Sequence, residues 1–315
     1  ALREQSRMLP LLEAARDHAT WTVVSSAKAL QHMRQGDLGA AQDEARRARA
    51  LAARSSIATT DTSIILRNLL DMWRWSPCLG EALEVADEFR QRLARLAPLG
   101  DFPQALEPLA ALYLQLGRAD LAQPLVDDLL RRPPVRAREQ MRLRLLQHQL
   151  ARTVGQAEPV AWPLEALAAE DLPLLAEWAL WSGLAAESHW PLPDLQALAG
   201  RCEQTGLALL ARALSSLAAW RQVQQAPGAA VPGMVPAAAT GLHGLHGATP
   251  WVALWVGLAL QAQGDVPAAR LFSQAGMAWL RDTVVPGLPE AFQASYLGRN
   301  PLHRALAKLA ARLGA

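Results

Sequence analysis

The chain is poor in lysine, in cysteine and in aromatics other than tryptophan, and it has no long apolar run. Of its 31 basic residues only Lys28 and Lys308 are lysines, and 29 acidic residues leave a net charge of +2. A near-neutral chain lacks the positive footprint of a domain that neutralises many phosphates, so no direct nucleic-acid binding is expected. Cys78 and Cys202 lie far apart and match no metal or redox spacing. That predicts free, buried thiols and a reducing, cytoplasmic home. The most apolar stretch, Trp251 to Leu260, has ten residues, about half of what a membrane-crossing helix needs. It reads as a buried helix, with no membrane contact. β-Branched residues are scattered and aromatics make up 5%, so a sheet is not expected. No GxxxxGK[ST] loop, GxSxG elbow, HExxH pair or His/Cys cluster is present. The sequence therefore predicts no catalytic residue, no cofactor, and no ATP binding or hydrolysis.

Alanine and leucine dominate what remains, and both favour helix. Residues 103–134 read as one helix-turn-helix unit: Leu106, Leu109, Ala110 and Tyr113 fall on one face of a first helix, Gly117 makes the turn, and Ala122, Val126 and Leu129 repeat on a second. The small Ala110 and Ala122 allow two antiparallel helices to approach closely. The same phase recurs at 250–283, with Gly257 in the small position and Gly264-Asp265 at the turn. It recurs at 22–55, with Ala29 small, Gly36-Asp37 at the turn and Lys28 at an expected apolar site. A degenerate copy at 63–96 keeps Leu66, Leu69, Trp73, Ala82, Ala86 and Phe89 but has Pro77 at the turn. The first three units begin near 22, 63 and 103, a period near 40. Further helices are expected at about 137–153, 161–169, 172–187, 193–204 and 206–224, with Trp181, Leu184, Ala185 and Ala197 fitting one loose unit. The expected organisation is repeats over 1–224, a Pro/Gly/Ala-rich loop over 225–250, and a terminal unit with a capping helix over 251–315.

These units, with the closing segment carrying Phe292, Tyr296, Leu297, Asn300, Pro301 and His303, resemble the tetratricopeptide-like superhelical regions of bacterial LuxR/MalT-type, signalling-ATPase-associated regulators. The resemblance implies an all-α, right-handed superhelix of antiparallel helix pairs. It implies a non-catalytic sensor or interaction module of a larger regulator of signalling or transcription. The first residue, Ala1, likewise reads as the start of a fragment. The resemblance also places a protein, peptide or small effector in a concave groove lined by the first helix of each unit. Carried onto this sequence, that lining is Arg34, Gln104, Glu107, Leu114, Gln115, Trp251, Leu258 and Gln261. The lining reads as mildly apolar, with Trp251 as the expected hot spot and a weak salt dependence.

Other features admit two readings. His243 and His246 in GLHGLHG could share a metal ion, but a structural site ordinarily takes four N or S ligands. An enzyme with a site near these histidines and His303, or a purely structural oligomerisation scaffold, are the competing function classes. Trp178, Trp181, Trp190, Trp251 and Trp255 read as core residues before they read as a ligand cage. The five arginines between Arg136 and Arg152 read as a solvated face rather than an anion stripe, and in RNPLHR, where Arg299, His303 and Arg304 could grip a phosphate, Pro301 favours a helix cap instead.

Overall fold

The computed structural model describes residues 17–54, 59–95, 103–132, 136–156, 171–184, 190–226 and 242–314, with four positions before residue 17. Among these residues every regular element is helical. The α-helices are α1 (His18–Gln35), α2 (Leu38–Arg54), α3 (Thr59–Arg74), α4 (Leu79–Ala94), α5 (Pro103–Gln115), α6 (Ala119–Arg131) and α7 (Ala137–Val154). They continue as α8 (Leu172–Gly183), α9 (Leu192–Gln204), α10 (Ala208–Gln225), α11 (Thr249–Ala262), α12 (Val266–Ala278), α13 (Glu290–Arg299) and α14 (Pro301–Arg312).

The turns follow from local chemistry. At Gly36-Asp37 the glycine sits at φ 87°, its N–H bonds to the Met33 carbonyl, and the Asp37 N–H bonds to the His32 carbonyl. This closes α1 with a left-handed cap that glycine accepts without strain. The Asp37 carboxylate then caps α2 through the Ala40 N–H at 3.0 Å. Gly264-Asp265 repeats the device, with the Asp265 carboxylate on the Ala268 N–H at 3.1 Å. The glycine-free turn between α3 and α4 is held by Ser76, whose hydroxyl donates to the Trp73 carbonyl and accepts from the Cys78 N–H.

The helices pair as α1/α2, α3/α4, α5/α6 and α11/α12, with α1, α3, α5 and α7 side by side. Ala29, Ala41, Ala45 and Ala48 are fully buried where α1 meets α2. Lys28, at an expected apolar site, is satisfied by Glu44 across the same pair at 2.6 Å. Gly257 faces α14, where a Cβ would stand 2.9 Å from Leu309 Cδ2.

Two expectations change. The helix expected over 172–187 is described as α8 only to Gly183, and α9 packs chiefly on α10 across a tight Gly206 turn at φ 77°. The loose unit built on Trp181, Leu184 and Ala197 spans α8 and α9, which touch, although α9 has its larger contact with α10; Ala185 lies outside the described residues, as does the helix expected at 161–169.

Of the stretch 225–250, residues 227–241 lie outside the described residues, and the rest is folded: Leu242 is buried, a short 3-10 turn covers His246–Ala248, and α11 begins at Thr249. From there the chain returns across the turn ends of the first three pairs. His246 Nε2 lies 3.2 Å from the Gly36 carbonyl oxygen, and the Gly247 N–H donates to the Trp75 carbonyl at 2.7 Å. Ser295 Oγ donates to the Leu116 carbonyl, and Asn300 Nδ2 to the Gln115 carbonyl at 2.7 Å. One hydrophobic cluster runs from Ala29 to Leu313.

Candidate binding surfaces

Arg34 and Glu107 come together with residues of three other helices, and what they build is an ionic cluster. Arg34 ends α1, Arg67, Asp71 and Arg74 lie on α3, Glu107 on α5, Arg142 on α7 and Glu177 on α8. Arg142 reaches Glu107 at 2.9 Å, Arg67 reaches the other Glu107 oxygen at 3.5 Å, and Arg74 reaches Glu177 at 3.0 Å and Asp71 at 3.3 Å. Arg138 pairs with Asp171. Burial opposes the charge on Arg74, but Glu177 and Asp71 outweigh it and raise its pKa. Arg142 is raised chiefly by Glu107, against burial. Arg34 is the exception. Burial lowers its pKa, Asp71 and Glu177 offset only part of that, and no described carboxylate lies within 4.0 Å of it. The cleft enclosed by these groups has a volume of about 30 Å³, room for about one water. The mildly apolar groove expected here is thus replaced by charge, because arginines from α3 and α7 meet carboxylates from α5 and α8. Of the arginines between Arg136 and Arg152, Arg136, Arg138 and Arg144 are exposed, Arg138 pairing with Asp171 as well, while Arg142 lies inside the cluster.

The remaining predicted lining residues scatter. Gln115 is spent on Arg74, donating to its carbonyl at 2.7 Å and accepting from its Nε. Leu114 is fully buried. Trp251, the expected hot spot, is 6% exposed and packs edge-on against Trp181 with ring centroids 5.7 Å apart. Gln261 is half-buried, and the side chain of Gln104 lies outside the described residues. Trp178, Trp181 and Trp255 are core residues, whereas Trp190 is only partly buried.

The histidines assemble no cluster. His243 is exposed, His246 meets the Gly36 carbonyl, and among the described residues no group of three His, Cys, Asp or Glu is placed to hold a metal. His303 is buried in the cap of α14: its Nδ1 donates to the Tyr296 carbonyl at 2.7 Å, and burial pushes its pKa down to about 4. Asn300 Oδ1 accepts from the Leu302 and His303 N–H groups and Pro301 opens the helix, so Arg299-Asn300-Pro301 is a cap. Both cysteines are free, Cys202 buried and Cys78 half-buried, and burial raises the pKa of each.

Only Leu258 of the predicted set opens onto a cavity of ligand size. It lines a groove of about 700 Å³, open on one side, between α10, α11 and α14 and reaching the end of α8. Leu254 and Trp255 of α11 form its nearly buried base; Leu184, Trp220 and Leu258 present partly exposed apolar surface above it. Arg221 stands on the α10 side, where burial lowers its pKa, and Lys308 and Arg312 stand on the α14 side. The described lining holds no carboxylate, histidine, hydroxyl or thiol. No family model, curated protein or solved structure matches this chain. The groove itself was missed by the sequence reading. Its one sequence signal is the spacing of Arg304, Lys308 and Arg312 at every fourth residue of α14, which puts cations on one helix face.

Proposed function

We propose that this chain is a non-catalytic binding module, a stack of tetratricopeptide-like helix pairs forming a superhelix. In this reading it serves as the sensor or interaction part of a larger cytoplasmic bacterial regulator of the LuxR/MalT type. The observation that supports it is the groove at Leu258. Its size is that of a ligand site, and its described side chains can bury apolar surface and pair with negative charge but include no carboxylate, histidine, hydroxyl or thiol. The deep first-helix cluster supports the same division of labour, since its charges are largely consumed by one another.

The test uses anilinonaphthalene sulfonate, an anionic apolar dye. The native chain should bind it saturably, and Ala305→Trp, which fills the groove, should abolish that binding while thermal unfolding stays cooperative. Equal binding by both proteins, or by neither, overturns the reading.

A further inference from the structure

We propose that the groove between α10, α11 and α14 receives an acidic amphipathic helix of a partner protein, its apolar face on Trp220 and Leu258 and its carboxylates on Lys308 and Arg312. This rests on the binding-module reading above. Shape is the first argument. The α14 wall runs from Ala305 to Arg312, about 10 Å or two helical turns, which matches the i, i+3, i+7 anchors of one helix face. Ala305 and Ala311 on that wall are small and admit a close helix approach. The groove is open along one side, so a small molecule would leave much of itself wet. A helix buries one face and keeps the other in solvent.

Charge supplies the second argument. Lys308 and Arg312 are exposed and make no hydrogen bond or ion pair with any described residue. Some exposed arginines elsewhere find acids on their own helix, as Arg46 does with Asp43 at 3.1 Å and Arg131 with Asp128 at 2.7 Å. α14 carries no acid at all. On the opposite wall Arg221 donates to Gln224, so positive charge flanks the apolar strip on both sides. A complementary partner carries acids along both edges of its apolar face.

Three probes and one variant decide the matter. The probes are a short fluorescein-labelled helical peptide with leucines on one face and glutamates on the other, its counterpart with lysine for every glutamate, and dodecanoate. The full chain should bind the acidic peptide and not the basic one, and less tightly at high salt. The K308E/R312E double variant should weaken binding by about tenfold or more at an unchanged melting temperature. Carbodiimide cross-linking should join the acidic peptide at Lys308, because the other lysine, Lys28, is mostly shielded and already paired with Glu44. Equal binding of both peptides, or undiminished binding by the double variant, overturns the proposal. Binding of dodecanoate alone also overturns it, while leaving the groove a ligand site. Failure of every probe, together with failure of the dye above, removes the binding-module reading as well.

Discussion

Gly117 lies directly against Ser295: a Cβ on Gly117 would stand 2.3 Å from the Ser295 carbonyl oxygen and 3.0 Å from the Asn300 nitrogen. The turn between α5 and α6 is thus the seat of α13. Gly117 also has φ +70°, and Gly155 shares that backbone at φ +81° with nothing within 4 Å of its Cβ position. Gly155→Ala should cost only the left-handed strain, about 1 to 2 kcal/mol. Gly117→Ala should cost about 1 to 3 kcal/mol more, the price of forcing α13 away. Equal losses in urea denaturation would show that the contact contributes nothing.

His303 makes stability depend on pH. Its folded pKa, about 4, lies below the ordinary 6.5, so the fold accepts the neutral ring. The contribution is complete above the unfolded value and is lost as pH falls from about 6.5 toward 4, up to about 3 kcal/mol. His148, lowered chiefly by burial with Arg152 adding, acts in the same direction. The denaturation midpoint should therefore fall between pH 7.5 and 5. His303→Phe should flatten that slope while lowering stability at pH 7.5, because the Tyr296 carbonyl loses its donor.

Lys28 and Glu44 are a pair that tolerates joint loss better than single loss. Glu44 is buried and held by Lys28 at 2.6 Å and Arg47 at 3.4 Å. Lys28→Met should destabilise by about 3 kcal/mol, because it leaves a buried carboxylate with only the longer contact to Arg47. Adding Glu44→Leu should recover most of this, and a double-mutant cycle on chemical denaturation measures the recovery.

Arg34 and Arg142 should respond oppositely to the same change. Arg142→Met removes the closest cation from Glu107 and should cost about 3 kcal/mol. Arg34→Met removes a desolvated charge without a close partner and should leave stability unchanged or raise it by about 1 kcal/mol. Thermal unfolding of the two variants separates the cases.

The helix pairs were legible because their signals are local. A Gly-Asp turn announces itself in two residues, and Ala29 or Ala110 marks a close contact within one unit. Arg34 and Glu107 were placed on the inner face by the same phase. That phase cannot show that Arg74 meets Glu177, 103 positions away, so the ionic filling of the interior went unread. Trp251 looked available because it sits on a first helix, but its cover, Trp181, comes from another element. The groove at Leu258 needs three helices at once. The stretch between α10 and α11 carries no charge or period that would announce which faces end up together.

The return of the chain over its own first turns has a consequence for how the molecule is made. Helical repeats usually gain stability one unit at a time, each neighbour completing the last. Here Gly36 waits for His246, 210 residues on, and Leu116 waits for Ser295, 179 residues on. During synthesis the first three pairs emerge with their turn ends bare, and the contacts that cover them form only when nearly the whole chain is available. Such long closures slow folding. They also bind early and late helices into one cooperative transition, so removing α13 and α14 should loosen the first helices as well as the last.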